Sequence, residues 1–259
     1  MNRTLGMTES QFRYLVDLVA QAAPEKITTI GRPQKLSPAQ KVRITVLYLR
    51  TNNTQEFLAA MFAVSQPVVS RTIAAVTTTL AWLLQIYVPD PEQASRGTTL
   101  LLDGTLAPCW TWADMPQLYS GKHKTTGHNL QVASDLAGRL VYLSPPLPGS
   151  THDAAAFRHH DLPNLLTSIA IGNSIGDKGY QGCGIITPRK KRIGRELTEH
   201  DKAANKPIHQ RRATIERVIA NIKTWRILHT DYRRPQHTFT TSLDAIRGLI
   251  FFQRGTTTL

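Results

Sequence analysis

Thr98-Thr99-Leu100-Leu101-Leu102-Asp103-Gly104-Thr105 is where this chain changes character. Before it, every periodic segment repeats at helical spacing. From it onward, short apolar runs end in acids and glycines, which is how strands and their turns are written. The run itself predicts a buried strand that stops at Asp103, with Gly104-Thr105 as the turn. Two further strands are expected at Asn129–Asp135 and Arg139–Ser144, joined by a hairpin at Ala137-Gly138. A fourth, Ile169–Asp177, again ends on an acid beside a glycine. Helices are expected at Asp153–His160, Thr198–Asn205, Arg211–Leu228 and Leu243–Phe252. Strands first and helices after them imply an α/β domain with a mixed sheet.

Upstream, Phe12, Leu15, Val16, Leu18 and Val19 mark a helix from Glu9 to Ala23, and Thr28 to Pro33 breaks it. Ser37 followed by Pro38 is a strong helix start, a capping hydroxyl before a proline in the first turn. That helix runs to Arg50; a short one follows over Glu56–Phe62, and a longer one begins near Pro67 and extends to about Ile86. The order helix, short helix, tight connection, longer helix matches a helix-turn-helix. There the last helix carries polar side chains into the major groove. Gln66, Ser70 and Arg71 are the candidate base readers, since Gln and Arg make paired hydrogen bonds to adenine and guanine edges. Val88-Pro89-Asp90-Pro91 to Gly97 is the junction. The expected division is a helical domain over residues 1–95 and an α/β domain over residues 96–259.

Charge narrows the class. Thirty-one Lys and Arg against eighteen Asp and Glu leave a net +13, a field that gathers polyanions, nucleic acid above all. Lys190 and Lys191 head a basic stretch from Arg189 to Arg234 in which acids are few. Such a surface holds a phosphate backbone without reading sequence. The two cysteines, Cys109 and Cys183, form no CxxC pair, so a disulfide scaffold and a structural zinc site are not expected. Residues 1–23 lack the pattern of a signal peptide, and no uninterrupted apolar run has the length of a membrane span. The expected workplace is wherever the DNA lies: the cytoplasm at a bacterial nucleoid, or a nucleus in a eukaryote.

Asp103 and Asp177 both stand at the ends of expected buried strands. A carboxylate held there is costly unless a cation satisfies it, and a divalent metal is one such cation. Either acid could equally cap a turn before its glycine. Glu216 borders the apolar stripe of Ile215, Val218, Ile219 and Ile222, one turn from Arg212, where an ordinary i,i+4 ion pair would also fit.

Six segments in order carry a resemblance: LLDGT (101–105), YSGKHKTTGHNLQV (119–132), PGSTHDAAAF (148–157), IGDKGYQG (175–182), TPRKK (187–191) and RRATIERVIANIKTWRIL (211–228). They resemble the DDE transposases of the insertion-sequence and Harbinger type, whose ribonuclease-H-like core follows a helix-turn-helix. The resemblance implies that Asp103, Asp177 and Glu216 are the metal-binding, catalytic carboxylates. It implies two Mg²⁺, with Mn²⁺ as a substitute, and double-stranded DNA as partner: terminal inverted repeats and target. A homodimer or larger oligomer on that DNA is expected, without a membrane. His152, Asp153, Lys178 and Arg212 become accessory groups, Asp153 because its segment precedes the one that should carry the second acid. Two other functions share these residues: a non-catalytic DNA-binding regulator, and a plain metal-dependent DNA endonuclease.

Overall fold

The computed structural model describes residues 4–22, 35–110, 114–167, 173–191, 194 and 196–255. The expected break at Thr28–Pro33, the start of the fourth expected strand, and Arg192 and Arg195 lie outside them. Two compact units result. One comprises residues 1–88 with 223–259, the other residues 89–222.

The first unit is helical: α1 (Glu9–Ala22), α2 (Pro38–Thr51), α3 (Gln55–Met61) and α4 (Gln66–Leu83), then α9 (Phe239–Gly255) from the far end of the chain. Ser37 starts α2 as the sequence expects. Its hydroxyl accepts from Gln40 N–H while the Gln40 side chain accepts from Ser37 N–H, so two otherwise orphaned donors are met. Ala63 adopts a left-handed conformation between α3 and α4, which turns the chain tightly. By length and hydropathy Gln66–Tyr87 could cross a membrane. Val69, Ile73 and Leu80 are instead fully buried among the helices of this unit. Leu243, Ile246, Leu249 and Phe252 of α9 are equally enclosed, and Gly248 lets Leu84 approach so closely that a Cβ would stand 2.5 Å from it.

This packing differs from the expected division at residue 95. The reason is hydrophobic: the apolar faces of α4 and α9 have each other to cover.

The second unit begins with the short α5 (Pro91–Ser95) and continues as a sheet. Its strands are β1 (Leu100–Pro108), β2 (Tyr119–Ser120), β3 (Thr125–Asp135), β4 (Leu140–Leu143) and β5 (Leu147–Pro148). β3 pairs antiparallel with all four of the others. On the far side of β1 the sense reverses: Ile175 lies parallel to Leu101, and Ile186 parallel to Ile175. The expected mixed sheet is therefore present, an arrangement consistent with a ribonuclease-H-like core. Helices α6 (Asp153–His159) and α7 (Leu162–Thr167) cover one face, where Leu100, Leu102, Ala133, Phe157, Leu162 and Tyr180 form the core. Helix α8 (Glu199–Ile222) packs on β1 and β3 through Ile215, Val218 and Ile222.

Three local expectations change. β1 does not stop at Asp103 but runs on to Pro108, so Gly104-Thr105 is mid-strand and no turn. Among the described residues, the fourth strand is only the bridge at Ile175. The two helices expected between Thr198 and Leu228 are one, passing through Pro207 and ending at Ile222. Its first half lacks an apolar stripe because polar clamps hold it. The Asn205 amide exchanges hydrogen bonds with the Arg189 backbone, and Arg189 pairs with Asp201 at 2.7 Å.

A fragment of residues 1–95 lacks α9 and so lacks one wall of its unit. It should show no cooperative thermal transition by circular dichroism, whereas residues 1–88 joined through a flexible linker to 223–255 should melt cooperatively. A sharp transition from the 1–95 fragment alone would show that α9 is dispensable.

Candidate active site

The parallel bridge between Leu101 and Ile175 sets the site. It is locked by Leu102 N–H to Ile175 O and Ile175 N–H to Leu100 O, each 2.8 Å. Two residues further along both segments stand Asp103 and Asp177, in matching register and on the same face, because side chains alternate along extended chain. Asp177 is extended at its own backbone, and its Oδ1 accepts from Gly179 N–H at 2.6 Å. It therefore caps a turn as well as facing Asp103.

Asp103 is largely buried, and its carboxylate has two partners. Oδ1 accepts from Gly104 N–H at 2.9 Å, and Oδ2 receives Arg212 Nη2 at 3.0 Å from α8. Arg212 is as enclosed as Asp103, and its Nε is buried without a hydrogen-bond partner. Burial pushes the Asp103 carboxyl up to about 6; the Arg212 charge opposes that shift and the Asp177 charge adds to it. A site that strains to keep Asp103 ionised is one that favours added positive charge.

The opposite face of β1 belongs to Asp153. Gly104 points there, and a Cβ on it would fall 2.1 Å from Asp153 Oδ1. That approach is why a glycine interrupts β1. Asp153 is buried at the first residue of α6, and Lys122 Nζ meets its Oδ2 at 2.8 Å. Asn129 Nδ2 and Gln131 Nε2 reach its Oδ1 at 3.4 and 3.5 Å. Burial works against the Lys122 ammonium, but the Asp153 hydrogen bond and charge, with Asp177 and Asp103 behind it, hold its pKa above the usual lysine value. Tyr180 closes the floor by donating to Gln131 Oε1 at 2.5 Å, and burial with the three nearby aspartates keeps its phenol protonated. Asp177 also reaches toward this side: a Cβ on Gly179 would lie 2.8 Å from Asp177 Oδ1 and 2.9 Å from Asp153 Oδ2.

Asp177 thus stands beside Asp103 on one side and reaches toward Asp153 on the other, while Glu216 is not joined to them. It is exposed on α8, four residues beyond Arg212. Among the described residues, no three Asp, Glu, His or Cys side chains form a metal-ligating group. His152 and Lys178 are exposed beside Asp153 and Asp177. Lys190 is exposed, and Lys191 pairs with Glu196. In the helical unit, Gln66 donates to Gln55 Oε1 at 2.6 Å, Ser70 is half-buried and Arg71 is exposed. Sequence reading missed Lys122, Asn129, Gln131 and Tyr180. All four lie inside the segments YSGKHKTTGHNLQV and IGDKGYQG, but nothing in their spacing says that they meet Asp153.

Comparison with known proteins agrees along the chain. Residues 102–248 match the DDE superfamily endonuclease family, and residues 34–85 match the helix-turn-helix of DDE superfamily endonucleases. The putative transposase for insertion sequence element IS112 of Streptomyces albus G is 30% identical over 227 residues, covering 86% of this chain and 83% of that relative. The probable transposase for insertion sequence element IS702 of Microchaete diplosiphon is 26% identical over 266 residues, with 97% and 93% covered. A solved pre-cleavage Mos1 transpososome aligns over 87% of this chain and 81% of its own, but at 12% identity and a TM-score of 0.20 it is too distant to place any element.

Because the folded pKa of Asp103 lies above its unfolded value of 3.8, the native state prefers the neutral acid. The stability this gives is complete below about pH 4 and is lost as pH rises through about 6. Relative to Asp103→Asn, wild-type protein should therefore lose about 1–3 kcal/mol between pH 4 and pH 7, measured by urea unfolding. The Arg212 pairing is already contained in the folded pKa of Asp103, and what remains between the neutral acid and the amide is an offset that does not change with pH. A flat difference across that range would show that Asp103 titrates normally.

Proposed function

The chain belongs to the DDE superfamily endonucleases, as a transposase with a helix-turn-helix ahead of its catalytic region, and on that footing we propose that Asp103, Asp177 and Glu216 are its metal-holding carboxylates. The reaction is cleavage at a transposon end followed by transfer of the freed 3′-hydroxyl into target DNA. The observation that carries this reading is the register of Asp103 beside Asp177, two carboxylates on one face, one of them buried enough to hold its pKa near 6.

Enzymes of this family use divalent metals. Carboxylate oxygens and a phosphate substrate favour Mg²⁺, with Mn²⁺ as a substitute. The residues fit such an ion: Asp103 and Asp177 offer hard oxygen donors side by side, and Arg212 now supplies the positive charge that they require. When bound, two such ions supply the activation of the attacking oxygen and the stabilisation of the leaving 3′-oxygen. The protein's part is positioning. The sheet fixes Asp103 and Asp177, which would hold the ion, and Arg212 keeps the buried Asp103 carboxylate partnered. Tyr180 and Gln131 hold the floor, and Lys178 lies beside the entrance. Glu216 is included because it lies one turn from Arg212, on the helix that packs against β1, in a segment matching the family. Asp153 is accessory in this reading, since it faces the other side of β1 and is already neutralised by Lys122. A second reading makes Asp153 the third ligand in place of Glu216, favoured by the point near Gly179 that both Asp153 and Asp177 approach.

Gln66, Ser70 and Arg71 read the transposon ends, while Lys190 and Lys191 hold the backbone near the carboxylates. Because a mobile element has two ends, the working form on DNA is a homodimer or larger oligomer.

Asp103→Asn, Asp177→Asn and Glu216→Gln should each abolish Mg²⁺-dependent nicking of end-containing duplex while duplex binding stays within about twofold of wild type. Asp153→Asn should weaken nicking without abolishing it. Full loss with Asp153→Asn and retained nicking with Glu216→Gln would establish the second reading. Wild-type protein inert toward every duplex in Mg²⁺ and Mn²⁺ would make the chain a DNA-binding regulator.

The two units should also differ in how they hold DNA. Arg71→Ala should reduce discrimination between end and scrambled duplexes, by about 1–3 kcal/mol for a paired base contact. Lys190→Gln with Lys191→Gln should weaken both duplexes alike and flatten the salt dependence. Equal losses on both duplexes for Arg71→Ala would remove α4 as the reader.

A further inference from the structure

Helices α2, α3 and α4 each follow a hydroxyl residue, but only the first two are capped by it. Ser37 and Thr54 accept a backbone N–H of the helix they open, from Gln40 and from Phe57. Ser65, ahead of α4, makes no such side-chain bond. The side-chain bond at the start of α4 is instead an amide pair. Gln66, its first residue, donates Nε2–H to Oε1 of Gln55, the first residue of α3, at 2.6 Å. Both side chains are half-buried. The closure of α3 on α4 has its own support: Leu58, Ala59 and Val69 are buried, and Val64 N–H meets Ala59 O at 3.0 Å. The amide pair is therefore an addition at the open end of the turn, where a helix-turn-helix meets the bases.

We propose that Gln55 is a specificity-determining positioning residue: by holding one N–H of the Gln66 amide, it presents the other N–H and the carbonyl oxygen together to an adenine edge. This rests on the reading of Gln66 as a base reader, and adds which base it selects and what aims it. A glutamine recognises adenine by donating to N7 while accepting from the N6 amino group, so it needs one N–H and one C=O. An amide with one N–H engaged keeps that set free. Guanine presents only acceptors in the major groove, and would leave the Gln66 carbonyl facing one of them. Unheld, a glutamine carries much rotamer freedom, which binding must then remove. Gln55 orders the side chain before DNA arrives and decides which end of the amide faces outward.

The test uses the full-length protein and a pool of duplexes of randomised sequence, from which bound molecules are recovered and sequenced; thermal midpoints are measured beside it. Gln66→Ala should flatten a preference for adenine at one base pair by about tenfold. Gln55→Leu should lose at least about threefold at that same pair and leave the other positions as in wild type. Gln55→Glu, which still accepts but cannot donate, should retain the preference. Gln55→Leu/Gln66→Ala should discriminate no worse than Gln66→Ala alone, because the two changes remove one contact. Wild-type preference at that pair in Gln55→Leu, or equal loss in Gln55→Glu and Gln55→Leu, would overturn the positioning role. So would an even loss across all positions with a lowered midpoint, which is the mark of a mere brace between helices. A Gln66→Ala pool identical to that of wild type is a different failure: it removes Gln66 as a reader, and the role of Gln55 with it.

Discussion

A carboxylate enclosed in the middle of a strand is the constraint from which the second unit follows. Asp103 cannot remain ionised there without positive charge. In the protein as it stands that charge is Arg212, delivered by a 24-residue helix that packs along β1. The pairing explains why α8 must be long and must not break at Pro207: its first half anchors to the Arg189 strap, while its second half brings Arg212 over the sheet. A buried ion pair of this kind contributes little net stability. Its value is to keep a costly acid partnered at a fixed place on the strand.

The same strand organises a second centre through the alternation of its side chains. Asp103 looks toward α8 and Gly104 toward α6, so one dipeptide serves both faces. Asp153, Lys122, Asn129, Gln131 and Tyr180 form a hydrogen-bonded network under Gly104, and each member has a partner. Such a network is rigid when complete. It fixes the floor against which the Asp103–Asp177 pair is presented.

Much of this was legible in sequence, for identifiable reasons. The strands around Asp103 and the 137–138 hairpin announce themselves by apolar runs, and the Ser37 cap by its chemistry. The pairing of Asp103 with Asp177 depends on a parallel register that no local pattern encodes, yet the ordered motifs implied it. Gly104 misled: glycine after aspartate signals a turn, whereas here it makes room for a side chain 49 positions away in the chain. The continuity of α8 was illegible because Pro207 separates the two helices expected at Thr198–Asn205 and Arg211–Leu228, while the hold of Asn205 on Arg189 is a polar contact that leaves no apolar period. The place of α9 was illegible too, since an amphipathic helix does not state which unit it will cover. Lys122 carries no local signal, because its partner Asp153 is 31 residues distant.

We propose Asp103 and Asp177 as the carboxylates that hold the metal. Crystals grown with Mn²⁺ and measured for anomalous scattering test it directly. The expected result is a peak between these two carboxylates, with Arg212 displaced from Asp103 or turned aside. A peak that ignores Asp103, or saturating Mn²⁺ that leaves the Arg212–Asp103 contact occupied and the pair empty, would contradict it.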